Sequence, residues 1–517
     1  MPTMWKFANL VPDENLTRRQ ALVGLPWLTR NGLAAQVMET MAIGPFLIAY
    51  ALAFDASNIL IGFLAAMPFL TQLIQLPAIV MVEKTRQRRR MCCFFAAVSR
   101  PMFLVMAAAA FMPSPAVALA VLTVGLAVRY GLGAFVACSW NSWIRDLVPD
   151  DVMGRYFARR LLYATAFSIP LGLAAALFVD GWKAAWPAQV PYAYALLLLL
   201  AFMGGSYSVY CMTKIPEPKM PPRDESPKLR EQLSAPFRDL NFRRLIAFLG
   251  SWNFAINLAA PFFAVYLFKR LEYSLTVVTA LTLVSQFANI LMLKQWGMIA
   301  DRFSSKSVMK VCAPMFIVCI FAWTFTTLPE KHALTLPLLV VIHVFMGIAT
   351  AGVSLSTNNM SLKLAPRGRA ASYLVAISLV NSVAAGIAPV LGGLVVDFFS
   401  SQKLSLVLGW TGGDADAALR TLSLHYWDFF FTFAAVIGAY SIHRLALVKE
   451  TGEVGERMVI DEVLIATRQS VRNLSSVAGL RALCEIPIEA LRREIRKRRH
   501  RRKHDRRPDA RESSPDS

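Results

Sequence analysis

Long apolar runs alternate with short polar stretches along the whole chain. A helix needs roughly 20 mostly apolar residues to cross a bilayer core, where no water satisfies unpaired backbone groups. Runs of that length predict helices 1 to 12 at about 28–54, 57–82, 91–112, 116–146, 157–180, 191–212, 243–268, 272–300, 307–328, 335–364, 370–399 and 425–447. We therefore expect an all-α membrane protein with twelve transmembrane helices.

A polar, proline-rich stretch near the middle separates these helices into two sets of six. It has too little apolar surface to fold alone. The predicted organisation is an N-terminal segment 1–27, a six-helix bundle 28–212, a linker 213–242, a second six-helix bundle 243–447 and a basic tail 448–517.

Four features of the first half recur in the second at a nearly constant separation. Pro45 and Pro261 lie 216 residues apart, Glu83 and Asp301 218, Pro149 and Pro366 217, and Pro170 and Pro389 219. Four matches in the same order indicate a duplication. Because six is an even number, each half returns the chain to the side on which it began.

The distribution of charge predicts the orientation of the chain. Charged residues make up 17% of the sequence and hydrophobic residues 56%, yet the formal net charge is +21. The basic residues concentrate in 492–507 and in the loops after helices 2, 4 and 8, which is typical of cytoplasmic segments rather than of nucleic-acid binding. We expect a multi-pass protein of the cell's inner membrane with both termini in the cytoplasm.

The segment GMIADRFSSK between helices 8 and 9 resembles the G-x-x-x-D-R-x-G-R-R/K motif of the major facilitator superfamily. The matching residues are Gly297, Asp301, Arg302 and Lys306. In the first half, Glu83 and Lys84 form a weaker copy. The resemblance covers about 25–447 and implies two six-helix bundles around a central cavity, lined mainly by helices 1, 4, 7 and 10 and opening alternately to each side.

In that family the motif loops act as cytoplasmic gates, so the resemblance assigns a gating role to Glu83 and Asp301. An acidic side chain near the positive N-terminal end of a helix in the other half would stabilise one state. The candidate basic partners are Arg159 and Arg160 before helix 5 and Arg367 and Arg369 before helix 11. The alternative is that these residues only cap helices and fix topology.

Two charged residues lie near the middle of predicted helices, Glu39 in helix 1 and Arg129 in helix 4. Charges at that depth are costly and usually face a cavity or a partner. If both helices line the cavity, a pair formed by Glu39 and Arg129 would bind an ionic substrate or respond to protonation. A purely structural buried ion pair is the alternative.

Further polar candidates are Asn253 and Asn257, one turn apart on the same face of helix 7, and His343 in helix 10. A histidine can titrate near neutral pH, but a lone intramembrane histidine also serves as a hydrogen-bonded packing residue. Arg100 and Lys294 are expected nearer the cytoplasmic helix ends, where long side chains reach the interface, and are interpreted as structural.

The function favoured by these features is a secondary transporter of a small organic solute, with proton coupling left open. No G-x-x-x-x-G-K-[ST] loop, catalytic constellation, metal motif or disulfide framework is visible in the sequence, so we expect neither an enzyme nor a cofactor. The basic run 492–507 is expected to contact anionic lipids. The alternative is a non-transporting member of the same fold that binds an apolar ligand or a partner protein.

Overall fold

The computed structural model describes residues 10–14, 16–220, 229–327, 331–366, 370–400, 404–410, 417–424, 426–450, 453, 455, 458–460 and 462. Within this part, twelve helices are long and apolar enough to cross a membrane. The predicted fold of twelve transmembrane helices is therefore confirmed. Of the basic tail, only the few residues named above are described.

The helices of the first half are helix 1 (Arg18–Ala42 and Pro45–Leu52), helix 2 (Asn58–Leu70 and Gln75–Thr85), helix 3 (Arg88–Ser99 and Met102–Ala108), helix 4 (Pro115–Leu147), helix 5 (Asp150–Ala185) and helix 6 (Val190–Thr213). The second half contains helix 7 (Leu240–Lys269), helix 8 (Leu275–Arg302), helix 9 (Ser305–Ala322), helix 10 (Thr335–Lys363), helix 11 (Ala370–Phe399) and helix 12 (Tyr426–Ala446). A short linker helix, Leu229–Arg238, precedes helix 7.

A small β-hairpin lies between helices 11 and 12, where the sequence predicts only a connection. Strand β1 (Leu404–Trp410) pairs antiparallel with strand β2 (Ala417–Leu424), from Leu404 opposite Leu424 to Trp410 opposite Ala417. This hairpin adds residues to the second half that have no counterpart in the first.

Helix 1 begins at Arg18, ten residues before the predicted start. The cause is a capping box: the Gln20 N–H donates to Oγ1 of Thr17 at 3.3 Å, and the Thr17 N–H donates to Oε1 of Gln20 at 2.8 Å. These two hydrogen bonds satisfy amide groups that a helix start otherwise leaves unpaired. The helix therefore extends into a polar segment that hydropathy alone assigns to a loop.

Helices 1, 2 and 3 are each interrupted inside the first half. Helix 1 breaks at Gly44, whose φ of +64° favours glycine because it has no Cβ. Helix 2 tightens into a 3₁₀ turn over Thr71–Ile74, shortly after Pro68. Helix 3 breaks around Pro101, which has no N–H to continue the ladder. All three interruptions adjoin the cavities described below.

The ends of the helices define two sides of the molecule. We call the side that carries Arg18, Thr85 and the start of the linker at Thr213 the linker side, and the other the opposite side. On the opposite side the halves pack tightly. Helix 2 lies so close to helix 11 that a Cβ on Gly62 would stand 2.1 Å from the carbonyl oxygen of Pro389.

Polar contacts reinforce this closure on the opposite side. Nδ2 of Asn58 donates to Oδ1 of Asp397 at 2.7 Å, which joins helix 2 to helix 11. The carboxylate of Asp180 in helix 5 accepts from the backbone N–H groups of Leu275 and Thr276 at 3.1 and 2.7 Å. Asp180 therefore caps the N-terminus of helix 8, which belongs to the other half.

Candidate functional site

Two cavities lie side by side in the interior. The first, which we call the arginine pocket, has a volume of about 340 Å³ and is lined by residues of helices 1 to 6. The second, the apolar cavity, has about 490 Å³ and lies between the two halves. Pro68 and Tyr130 line both cavities, so the two spaces adjoin each other.

The structure brings Glu39 and Arg129 together in the arginine pocket. Nη2 of Arg129 donates to Oε1 of Glu39 at 2.7 Å. Arg129 is almost fully buried, whereas 43% of the Glu39 side chain is exposed to the pocket. The guanidinium also lies over the rings of Phe103 and Tyr130, at 4.8 and 4.6 Å from their centroids. Arg129 is thus held from several sides, while the Glu39 carboxylate faces open space.

Arg100 also lines this pocket, which corrects its predicted place near the cytoplasmic end of helix 3. It stands at the break before Pro101, near the middle of the span, and is only 7% exposed. Its stem packs on Gly205 of helix 6, where a Cβ would come within 2.8 Å of Cδ. The predicted bounds of helix 3, 91–112, already place position 100 near the middle of the span, so the error lay in interpreting Arg100 as an interfacial side chain.

Arg160 is the third arginine of the pocket. Its guanidinium approaches helix 1 at Gly32, where a Cβ would stand 2.7 Å from Nε. The sequence proposes Arg160 as a gate partner, but the structure directs its side chain into the pocket. Arg159, the neighbouring residue, is exposed.

Uncharged polar groups complete the wall of the arginine pocket. Nε2 of Gln75 donates to Oε1 of Gln72 at 2.9 Å, and both side chains line the pocket beside the 3₁₀ turn of helix 2. Nδ2 of Asn31 donates to the hydroxyl and the carbonyl of Ser208, which fixes helix 1 against helix 6. The wall therefore combines fixed cations with amides that offer both donors and acceptors.

The apolar cavity contains two of the predicted polar candidates, Asn257 and His343. Nδ2 of Asn257 donates to the backbone oxygen of Asn253 at 2.8 Å, and Nδ1 of His343 lies 2.7 Å from the oxygen of Leu339. His343 also packs edge-on against Trp323. Its local hydrogen bond fits the packing interpretation as well as a binding role.

Asn253 faces a different space. It lines a third cavity of about 470 Å³ together with Gln72 and Asn358, residues of opposite halves. The two asparagines predicted to lie on the same face of helix 7 therefore border separate cavities.

The candidate gate residues lie on the linker side. Glu83, Lys84, Asp301 and Arg302 are exposed, and Gly297 has open space where a Cβ would stand. Among the residues described, Asp301 forms no ion pair with Arg159 or Arg160, and Arg302 pairs with Glu462 of the tail. Arg367 and Arg369 lie outside the described residues. The gating role of all these residues stays a prediction.

Sequence reasoning missed a buried carboxylate that follows helix 6. Glu217 and Arg88 are both fully buried. Oε1 of Glu217 accepts from the N–H of Arg88 at 2.7 Å and from its Nε at 3.4 Å, so the carboxylate caps helix 3. Arg88 also donates to the carbonyl of Pro218 at 2.8 Å and pairs with Asp146 at the end of helix 4. Burial raises the pKa of Glu217 above its ordinary value, against the opposing effect of these hydrogen bonds.

The second half repeats this arrangement at the start of helix 9. Oε2 of Glu450, which follows helix 12, accepts from the N–H of Lys306 at 2.7 Å. Nζ of Lys306, itself buried, donates to Oε2 of Glu453 at 2.8 Å. Lys306 therefore ties helix 9 to the segment after helix 12 within its own half. In each half, therefore, a glutamate that follows the sixth helix of that half caps the N-terminus of its third helix.

The comparisons with known proteins agree with this architecture. A model of the Major Facilitator Superfamily matches residues 32–389 and 254–457. The chain belongs to the Major Facilitator Superfamily. A search of curated proteins found no match.

Several solved structures of superfamily transporters resemble the chain. A mutant of the nucleoside transporter NupG is 14% identical with a TM-score of 0.62, and covers 82% of this chain and 100% of its own. A D-xylose-proton symporter is 13% identical with a TM-score of 0.60, over 84% and 99%. A bacterial homologue of the iron transporter ferroportin, in an inward-facing state, is 10% identical with a TM-score of 0.57, over 84% and 100%. At these identities the likeness shows the fold alone.

The part of the chain that the structure describes contains no group of histidine, cysteine, aspartate and glutamate side chains that could hold a metal ion. The arrangement offers instead fixed charges, amides and an apolar space at mid-membrane depth. These are the elements of a binding site for an organic molecule.

Proposed function

We propose that the chain is a secondary transporter that moves a small organic solute across the membrane by alternating access. The observation that carries this proposal is the pair of adjoining cavities deep in the molecule, one of them containing the ion pair of Glu39 and Arg129. A charge pair at that depth is energetically costly, and such pairs usually mark a functional site. The proposal gives the chain no enzymatic role.

The distribution of contacts between the halves corresponds to one state of such a cycle. The halves are joined on the opposite side by the hydrogen bond between Asn58 and Asp397 and by the cap that Asp180 places on helix 8. On the linker side, Arg159 and Asp301 are exposed. If the basic loops mark the cytoplasm, this is a state open to the cytoplasm.

Closing the linker side is the step in which the motif residues would act. Rocking of the halves would bring the acidic side chains of Glu83 and Asp301 towards basic residues and helix N-termini of the other half. Arg159 is exposed on helix 5 and is available for such a contact. We therefore retain Glu83 and Asp301 as proposed gate residues.

We propose Glu39 as the group that couples the cycle to protons. Its carboxylate shares the arginine pocket with charged groups from three other helices, Arg100 of helix 3, Arg129 of helix 4 and Arg160 of helix 5, and with the phenol of Tyr130. A proton on Glu39 would abolish its attraction for Arg129 and leave that guanidinium free for a solute. Deprotonation would restore the pair and favour release.

A flux assay tests the proposal. Purified protein in proteoliposomes is offered a panel of labelled organic solutes with and without an imposed pH gradient. We expect uptake of at least one solute to be accelerated by the gradient, and this acceleration to disappear in Glu39→Gln. Glu14→Gln, a neutralisation on the exposed N-terminal segment, is the matched control and should transport like the wild type.

Two results would contradict parts of the proposal. Equal fluxes with and without the gradient in both proteins would remove proton coupling. Absence of flux for every solute, from protein that is correctly folded, would favour the non-transporting alternative. The apolar cavity is the observation that favours that alternative, since it would also suit an apolar ligand held permanently.

A further inference from the structure

The arginine pocket contains more positive than negative charge. Among the residues that line it, three are arginines, Arg100, Arg129 and Arg160, and one is a carboxylate, Glu39. With all four ionised, the lining carries a formal charge of +2. Buried cations without counter-charges are unfavourable because the interior replaces little of their hydration.

The hydrogen bonds of these arginines are also incomplete. A guanidinium has five N–H donors. Arg100 is more than nine-tenths buried, and its side-chain bond within the described residues is from Nη1 to the hydroxyl of Ser99, at 3.1 Å. The Nε atoms of Arg100, Arg129 and Arg160 are all buried without a partner. The protein itself therefore leaves part of the hydrogen-bonding capacity of these guanidinium groups unused.

Glycines make room for two of these arginines. Gly205 admits the stem of Arg100, and Gly32 admits the head of Arg160; in each case a Cβ would come closer than 3.0 Å. The third, Arg129, is fixed by Glu39 and by the two aromatic rings beneath it. The three guanidinium groups are thus positioned by packing within the membrane span, where they cannot extend to the bilayer surface as an unconstrained arginine would.

The neighbouring cavity has the reverse character. Its walls are mainly aliphatic and aromatic, with Leu64, Phe69 and Phe263 among the lining side chains. At about 490 Å³ it is larger than the arginine pocket and meets it at Pro68 and Tyr130. A ligand that filled both spaces would have a charged end in the first half and an apolar body between the halves.

We propose that the solute is an amphipathic organic anion, whose carboxylate or phosphate group binds the three arginines and whose apolar body occupies the apolar cavity. This inference rests on the proposed function, because it names the substrate class of the same site. The anion would supply the missing negative charge and accept charge-assisted hydrogen bonds from the guanidinium groups that line the pocket. It would also compete with Glu39 for Arg129.

Equilibrium binding to the purified full-length protein tests this inference without any need for transport. The probe is radiolabelled 4-phenylbutyrate, and the competitors share its body: 4-phenylbutanol, 4-phenylbutylamine and 4-phenylbutyl phosphate. We expect the alcohol and the amine to compete about tenfold or more weaker than the carboxylate, since they cannot accept charge-assisted hydrogen bonds. Acetate and inorganic phosphate, which lack the body, should also compete weakly.

Variants identify the groups responsible. Arg100→Gln and Arg160→Gln should each weaken binding of the carboxylate about tenfold or more, whereas Arg100→Lys should retain part of it. Arg155→Gln, on the exposed start of helix 5, is the matched control and should bind like the wild type. The thermal unfolding profile of each variant verifies that it is folded.

Several outcomes would overturn the inference. These are competition by the alcohol or amine equal to that of the carboxylate, unchanged binding in both glutamine variants, or no saturable binding of either anion. Preference for 4-phenylbutyl phosphate over the carboxylate would identify phosphate as the source of the charge. Binding of anions without any flux would instead contradict the proposed transport and leave the inference intact.

Discussion

Replacing Arg88 by methionine tests the buried network that joins helices 3 and 4 to the segment after helix 6. Methionine keeps much of the volume of the side chain and removes its charge. The change leaves Glu217 buried without its counter-charge, and the carbonyl of Pro218 without its donor. Removing one partner of a buried ion pair typically costs about 3–5 kcal/mol of folding free energy.

Thermal unfolding followed by intrinsic fluorescence in one detergent measures the effect. A bundle of about 200 residues loses roughly 2–4 °C per kcal/mol, so the unfolding midpoint should fall by roughly 6–20 °C. The control is Arg18→Met, which breaks the ion pair of Arg18 with Asp151, both of whose side chains are more than half exposed. Exposed pairs contribute about 0–1 kcal/mol, so this midpoint should move by only a few degrees.

A double variant completes the test. In Arg88→Met with Glu217→Leu, the buried charge is removed together with its partner, so the double variant should lose less stability than the two single variants combined. Strict additivity, or an Arg88→Met midpoint within the range of the control, would refute the view that Arg88 and Glu217 stabilise each other in the interior.

Three further predictions follow from the same structure. The stability deficit of Arg88→Met should shrink as the pH falls towards 4.5. Burial raises the pKa of Glu217 in the folded protein above its pKa in the unfolded chain, so the contribution of this carboxyl group to stability is lost as the pH rises through the folded-state pKa. A deficit in the unfolding midpoint that does not depend on pH would contradict this. Gly62→Ala should force helices 2 and 11 apart by roughly 1 Å and lower both the unfolding midpoint and the flux. Gly181→Ala is the control, because a Cβ at Gly181 would meet no atom within 4 Å. Equal midpoints and fluxes in the two variants would count against the packing argument. Asp180→Ala should remove the cap on helix 8, at a cost of about 0.5–2 kcal/mol, and lengthen the distance between spin labels on Ser57 and Ser400. An unchanged distance would show that the cap does not hold the halves together.

Much of the fold could be predicted because a bilayer requires long apolar helices, which are recognisable in the sequence. Helix 11 occupies 370–399 as predicted, since an apolar run between polar residues leaves little choice of boundary. The start of helix 1 was wrong because side-chain capping by Thr17 decides it, and capping involves polar residues that hydropathy ignores. The hairpin between helices 11 and 12 was not predicted, although LSLVLGW followed by Gly412 and Gly413 is typical of a strand and a turn.

The candidate site was predicted in part, for a physical reason. Glu39 and Arg129 could be paired because isolated charges in apolar helices need partners. Arg100 was misplaced near the cytoplasmic end, although its predicted helix, 91–112, puts it near the middle of the span. Glu217 and Glu450 were missed because they lie 233 residues apart rather than about 217, a difference that the inserted hairpin accounts for. A search for acidic residues after the sixth helix of each half would have found them.

The most direct test of alternating access is to join the halves on the opposite side. Asn58 and Asp397 touch across the halves, so Asn58→Cys with Asp397→Cys can be linked by a short bismaleimide or by oxidation. If the halves must separate there in each cycle, the disulfide-linked protein should lose flux of its best solute from the panel and regain it on reduction. The flux of the single-cysteine variants should not change on oxidation or reduction. Flux at the unlinked rate in fully cross-linked protein would contradict the proposed mechanism.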